Sequence, residues 1–177
     1  MILVVAATPE ELTGALAGVV CGVGPVEAAA RSAAAIAEAR PTAVLHVGLA
    51  GARTFDRPRF TIGSEAVYCD ADDPRWIEVR VPADEWLVAA ARRALPDAAV
   101  APIGTSARVG GGTDCEVEAM EGYAVLRAAA LAHVPAVEVR VVSNAVGEPD
   151  RGKWQVAAAR AALAEAIPRL VEEFERA

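Results

Sequence analysis

The chain is 177 residues long and 54% hydrophobic, enough for one domain with a substantial core and too short for two ordinary ones. Its 24 acidic and 17 basic residues leave a net charge of -7, so the mean field repels phosphate and disfavours nucleic acid or an anionic membrane as partner. Cys21, Cys69 and Cys115 are odd in number, far apart and without CxxC spacing, which argues against a disulfide frame or a zinc site and for a reduced, cytoplasmic protein.

In chain order, Ile2 to Ala7 reads as a buried strand. It has no basic leader and stops at Thr8-Pro9-Glu10-Glu11, so neither a signal peptide nor a membrane span is expected. Thr8 can cap a short helix with Pro9 at its first position and two acids in its first turn. Val19 to Val23 is a second short strand, and Gly24-Pro25 opens an alanine-rich helix that closes at Arg40-Pro41. Ala43 to Val47 is a third strand, with a turn at Gly48-Leu49-Ala50-Gly51. Ile62 to Cys69 and Trp76 to Val81 are further strand candidates, separated by a turn at Asp72-Asp73-Pro74. Asp84 to Leu95 reads as a helix, Ala99 to Val109 as an irregular strand and Gly110-Gly111-Gly112 as a flexible loop. Glu121 to His133 is helical, Ala136 to Val142 a strand, and Gly152 to Glu175 a terminal helix with Pro168 as a kink. Such alternation predicts an α/β fold: residues 1–177 as a single three-layer domain, its central sheet mostly parallel, with helices on both faces.

Strand ends locate a site. A carboxylate at the start of one helix, Glu121, and the polar pair Ser143-Asn144 at the end of a strand would meet at one edge of the sheet. Glu11 would emerge there too, so three polar groups converge on a small-molecule site. The glycine turn Gly22-Val23-Gly24-Pro25 is not a dinucleotide fingerprint: the third glycine is missing and Pro25 removes an amide donor. A tight turn with close helix packing accounts for it. At Gly48 to Gly51 backbone contact with a ligand and a plain turn are equally consistent with the sequence.

Several stretches, in order, resemble the nucleoside phosphorylase and nucleosidase superfamily: Thr8-Pro9-Glu10-Glu11, Gly22 to Ala29, Gly48-Leu49-Ala50-Gly51-Ala52, Ile62-Gly63, Ala119-Met120-Glu121-Gly122, and Val139-Arg140-Val141-Val142-Ser143-Asn144. Within it the chain is most similar to the futalosine hydrolase branch, through Met120-Glu121-Gly122 and Ser143 to Gly147, with Asp150-Arg151 and Trp154 beyond. The resemblance implies hydrolysis of a purine N-glycosidic bond, futalosine giving hypoxanthine and dehypoxanthine futalosine in a menaquinone pathway. It also implies a homo-oligomer, dimer or higher, and no cofactor or metal. Glu11 matches the acid that activates water, Glu121 with Met120 and Ala119 the ribose-binding group, and Asn144 the position that reads the base. Arg140, Ser143, Gly48 and Leu49 match further substrate-binding positions.

Chemistry bears on these matches. A first-turn glutamate is favoured by the helix dipole whatever its function, a strand arginine pairs readily with a neighbour such as Glu138, and Ser-Asn suits a strand end. Adenine-specific members carry an aspartate where this chain has Asn144. A carboxamide has no titrating proton, but its NH2 can donate to O6 or N7, which favours a 6-oxopurine. Phosphorolysis needs arginine and hydroxyl donors for the dianion, and the resemblance implies that phosphorylases of the superfamily place an arginine and a serine around the third-strand turn, where His46 and Leu49 stand here; His46 reads as a packed strand residue. A methylthioadenosine or adenosylhomocysteine nucleosidase, another purine nucleosidase, and a noncatalytic nucleoside-binding protein are the rival expectations.

Overall fold

A computed structural model describes residues 1–71, 73, 75–110 and 112–176. The strands are β1 (Ile2–Ala6), β2 (Gly18–Val20), β3 (Ala43–Ala52), β4 (Arg59–Tyr68), β5 (Arg80–Pro82), β6 (Ala99–Thr105), β7 (Val117–Ala119) and β8 (Ala136–Ala145). The helices are α1 (Pro25–Ala39), α2 (Glu85–Ala94), α3 (Gly122–Leu131) and α4 (Val156–Glu175), with short 3-10 turns at Pro9–Leu12 and Arg151–Lys153.

Helix limits follow local chemistry. Pro25 starts α1 where a missing amide costs nothing, and Arg40, in the left-handed region at φ 47°, ends it before Pro41. Asp84 caps α2 by accepting from the amides of Trp86 and Leu87. Pro168 lies inside α4 and cannot donate to the carbonyl of Ala164; that carbonyl lies against Gly14, where a Cβ would overlap it.

The sheet is mixed and mostly parallel, as expected. β1 pairs in parallel with β2 and β3, β3 with β8, β4 with β6, and β6 with β7. Antiparallel pairs join β3 to β7, β4 to β5 and β4 to β8. These pairings close on themselves: β3, β8, β4, β6 and β7 form a ring, with β1, β2 and β5 as flanks. Alternate residues bury on opposite faces. Val4, Leu45, Val137 and Val139 pack with Leu87 of α2 and Leu163 and Ile167 of α4, while Leu3, Val5 and Val44 pack with Ile36 of α1 and Val125 of α3.

Several expected elements change. β3 does not turn at Gly48; it runs to Ala52, with Gly48 opposite Arg140 and Gly51 opposite Asn144, because the small residues leave room for side chains from neighbouring elements. Of the strand expected at Trp76 to Val81 only Arg80–Pro82 forms, since Trp76 and Ile77 face solvent. The irregular strand from Ala99 ends at Thr105, and Val117–Ala119 forms a short strand of its own. Asp72 and Pro74 of the expected turn and Gly111 of the expected loop lie outside the described residues.

Candidate active site

Arg140 organises the site from inside the fold. Its side chain is only 1% exposed, and residues 138 and 140 share the face of β8 that packs toward α1 and α3. Nε donates to Glu138 Oε1 at 2.6 Å, Nη1 to the carbonyl of Leu49 at 3.3 Å, and Nη2 to Glu121 Oε2 at 3.3 Å. Nη2 also lies 2.5 Å from His46 Nε2. The other ring nitrogen, Nδ1, is 3.0 Å from the carbonyl of Val5, which can only accept, so Nδ1 carries the hydrogen and Nε2 offers its lone pair to the guanidinium. Burial, then the positive charge of Arg140, holds the His46 pKa well below its ordinary value. Burial also pushes the Glu138 carboxyl up, against the pull of Arg140, and Glu138 Oε2 has no hydrogen-bond partner among the described residues. Burial pulls the Arg140 pKa down, but the negative charges of Glu138, Glu121 and Glu11 outweigh it and leave it raised.

Both candidate carboxylates, Glu11 and Glu121, are held by backbone donors. Glu11 Oε1 accepts from the amide of Leu49 at 2.8 Å, and Oε2 accepts from both the amide and the hydroxyl of Thr8 at 3.0 Å each. The Thr-x-x-Glu spacing makes a capping box, so the turn itself aims the carboxylate. Of roughly four lone-pair directions on a carboxylate, three are used and one remains on Oε1. Glu121, just before α3, accepts from the amide of Gly24 at Oε1 (3.0 Å) and from Arg140 at Oε2, leaving two directions open. Gly24, at φ 88°, presents that amide in a conformation that favours glycine. The α1 turn therefore acts on the site through a carboxylate rather than through a phosphate.

Asn144 owes its position to a bulge. The β3–β8 register shifts between Ala50 and Gly51, so that Ala50 pairs with Val142 and Gly51 with Asn144. The Ser143 hydroxyl donates to Asn144 Oδ1 at 2.8 Å, and Asn144 Nδ2 donates to the carbonyl of Ala145 at 3.0 Å. One amide hydrogen of Asn144 is left.

A cavity of about 730 Å³ joins these groups, within the usual range for a small-molecule site. Glu11, Leu49, Ala119, Met120 and Glu121 line it, as do Ser143 and Asn144. Gly48 and Arg140, expected to touch substrate, stand behind the wall instead. The guanidinium is spent on protein partners, and a Cβ at position 48 would overlap it, so Gly48 makes room for Arg140 rather than for a ligand. Thr8, Arg108, Val109, Trp154 and Arg160 also line the cavity. The capping spacing could have flagged Thr8; Arg108 and Arg160 carry no such signal in the sequence.

Residues 10–176 match the family model of the Phosphorylase superfamily. The chain belongs to that superfamily. A stretch of 58 residues is 48% identical to futalosine hydrolase of Streptomyces coelicolor, 33% of this chain and 25% of that protein, so the likeness spans a quarter of the curated relative. Two solved structures share the superfamily fold over nearly the whole chain. A futalosine hydrolase mutant of Helicobacter pylori has a TM-score of 0.87 at 16% identity, covering 97% of this chain and 98% of its own. The S-adenosylhomocysteine nucleosidase of Streptococcus pyogenes, in complex with 5-methylthiotubericidin, has a TM-score of 0.85 at 20% identity, covering 97% and 95%.

Proposed function

We propose that this chain hydrolyses the N-glycosidic bond of a purine nucleoside, with futalosine as substrate and hypoxanthine and dehypoxanthine futalosine as products. The observation that carries the reading is that Glu11, Glu121 and Asn144, from three separate parts of the chain, line one cavity with hydrogen-bonding capacity left on each. Glu11, with one acceptor direction free, activates a water for attack on C1′. Glu121 takes the sugar hydroxyls on its two free directions and opposes the positive charge that builds on the ribose. Asn144 offers its remaining N–H to N7 or O6 of the departing base.

Water rather than phosphate is the nucleophile in this reading. His46 commits both ring nitrogens to Val5 and Arg140, and Leu49 is apolar where a phosphate would need a donor side chain. The local likeness to a futalosine hydrolase supports the choice of substrate. Assembly into a homo-oligomer and a place in the cytoplasm and in menaquinone formation belong to the same reading. Val23, which lines the cavity, and Val26 on α1 are exposed apolar side chains that a second subunit would cover.

The test is base release from a nucleoside panel containing futalosine, inosine, methylthioadenosine and adenosylhomocysteine. Hypoxanthine release from futalosine, reduced about 10²- to 10⁴-fold in kcat by Glu11→Gln, is the expected result. Adenine release alone would transfer the chain to the methylthioadenosine and adenosylhomocysteine nucleosidases, and binding without turnover would make it a noncatalytic nucleoside binder.

A further inference from the structure

One row of the sheet beneath the cavity carries an acid that the proposed reaction leaves unused. Gly51 of β3 pairs on one side with Asn144 of β8 and on the other with Glu118 of β7, and Glu118 pairs in turn with Gly104 of β6. Val117, on the opposite face of β7, packs with Ala52, Ile103 and Val142, so Glu118 projects toward the cavity that it lines and is 8% exposed. Side chains paired across a ladder point the same way, and a Cβ on Gly51 would stand 3.1 Å from Asn144 Nδ2. Asn144 and Glu118 therefore flank Gly51 on one face, their backbones two strand spacings apart, roughly 10 Å. All three residues line the cavity. Beyond Glu118, the Thr113 side chain covers Gly104 and closes the row.

The two polar flanks differ in kind. Asn144 Oδ1 is committed to the Ser143 hydroxyl, which leaves an amide hydrogen to donate. An ionised carboxylate only accepts, and its roughly four lone-pair directions let it accept from a ligand as well as from the protein. Gly51 thus has a donor on one flank and an acceptor on the other, with no side chain of its own between them. A 6-oxopurine edge is the complement: O6 accepts, and N1 beside it carries a hydrogen. Adenine reverses both roles, since its amine donates and its N1 accepts. We propose that Glu118 is a specificity-determining residue of this site, accepting the N1–H of a 6-oxopurine while Asn144 donates to O6 or N7 of the same base. The assignment rests on the nucleosidase reading. With adenine in the same place, the carboxylate would face the N1 lone pair, two acceptors without a proton between them, which discriminates by repulsion as well as by attraction.

The experiment measures hypoxanthine and adenine release from two nucleosides that share one sugar and one 5′ substituent and differ only in the base. Glu118→Gln keeps the shape of the side chain and adds an NH2 that can donate to N1 of adenine. It should lower the wild-type preference for the 6-oxopurine, read as a ratio of kcat/KM values, about 10- to 100-fold, the range that a hydrogen bond to a charged group carries. Glu118→Asp keeps the charge but is one methylene shorter, and should give an intermediate ratio. Circular dichroism reports whether each variant folds, and the aspartate variant decides the question if the glutamine variant does not fold. A wild type without preference for the 6-oxopurine, or a ratio that survives Glu118→Gln, overturns the assignment. An equal loss of both activities overturns it too, because a carboxylate that only supports its strand does not tell the bases apart. If neither nucleoside is cleaved, the nucleosidase reading fails by itself. Calorimetric titration of wild type and Glu118→Gln with free hypoxanthine and free adenine then decides, and the absence of a Glu118-dependent preference for hypoxanthine overturns the role of Glu118.

Discussion

Arg140 has one charge to share among Glu138, Glu121 and the nearby Glu11, and His46 stays neutral beside it. Removing the guanidinium would strand buried carboxylates, so its value lies in preventing repulsion as much as in attraction. His46 makes the cluster sensitive to acid. Its folded pKa is depressed, so below about pH 6.5 the unfolded chain takes up a proton that the native site refuses, and stability falls as pH drops. The slope is up to ~1.4 kcal/mol per pH unit below that point, with none from this group above it. Glu138, with a raised pKa, has the opposite sign: its contribution is present below 4.5 and is lost as pH rises through its folded value. Urea unfolding of wild type and His46→Asn from about pH 7.5 to 5.5 separates the two, since the variant should lose the acid slope. An unchanged slope would mean that His46 is not the group responsible. At Asn144 the prediction concerns the base. Asn144→Asp supplies a carboxyl that can be protonated, so the ratio of adenine to hypoxanthine release from matched nucleosides should rise about tenfold, the worth of one hydrogen bond. A constant ratio in competition assays would show that residue 144 does not read the base.

At the scale of elements, the site depends on backbones coming close enough for side chains to pass between them. Gly122 opens α3 against the fully buried Glu138 carboxylate, and an added Cβ would overlap it. That carboxylate cannot swing away without breaking its 2.6 Å contact with Arg140. Gly122→Ala should therefore cost about 1–3 kcal/mol in urea unfolding, as overpacked cores do, and should lower kcat as the adjacent Glu121 shifts. Wild-type stability and kcat in that variant would refute the close approach. These contacts also explain what the sequence shows and what it hides. Glu11 and Asn144 are legible because each closes an apolar run, and Glu121 because it opens a helix ahead of one, and such strand and helix ends converge on one edge of the sheet. The continuation of β3 is hidden because Gly48-Leu49-Ala50-Gly51 has the composition of a turn; only the presence of Arg140 and Glu11 beside Gly48 explains glycine in a strand there. β7 escapes notice at three residues, too short for an alternating pattern, and the apolar residues near Trp76 suggest a strand whose side chains prove to face solvent.

At the scale of the molecule, the ring of β3, β8, β4, β6 and β7 joins strands from residue 43 to residue 145, and β1 pairs directly with β3. No cut along the chain separates two self-contained sheets, and the cavity draws its walls from the Thr8–Glu11 turn, β3, β7, β8 and α4 alike. Loss of any one of these elements opens the site, so ligand binding and folding should be coupled across the whole chain. Thermal unfolding should then be a single transition, coincident by circular dichroism and by tryptophan fluorescence. A non-cleavable 6-oxopurine nucleoside analogue at about a hundred times its Kd should add ~2.7 kcal/mol and move the midpoint of that whole transition up by roughly 5–10 °C. Two separate transitions, or a shift seen by one probe and not the other, would mean that the cavity belongs to a subunit of the fold that unfolds on its own, and the five-strand ring would not be the unit of cooperativity.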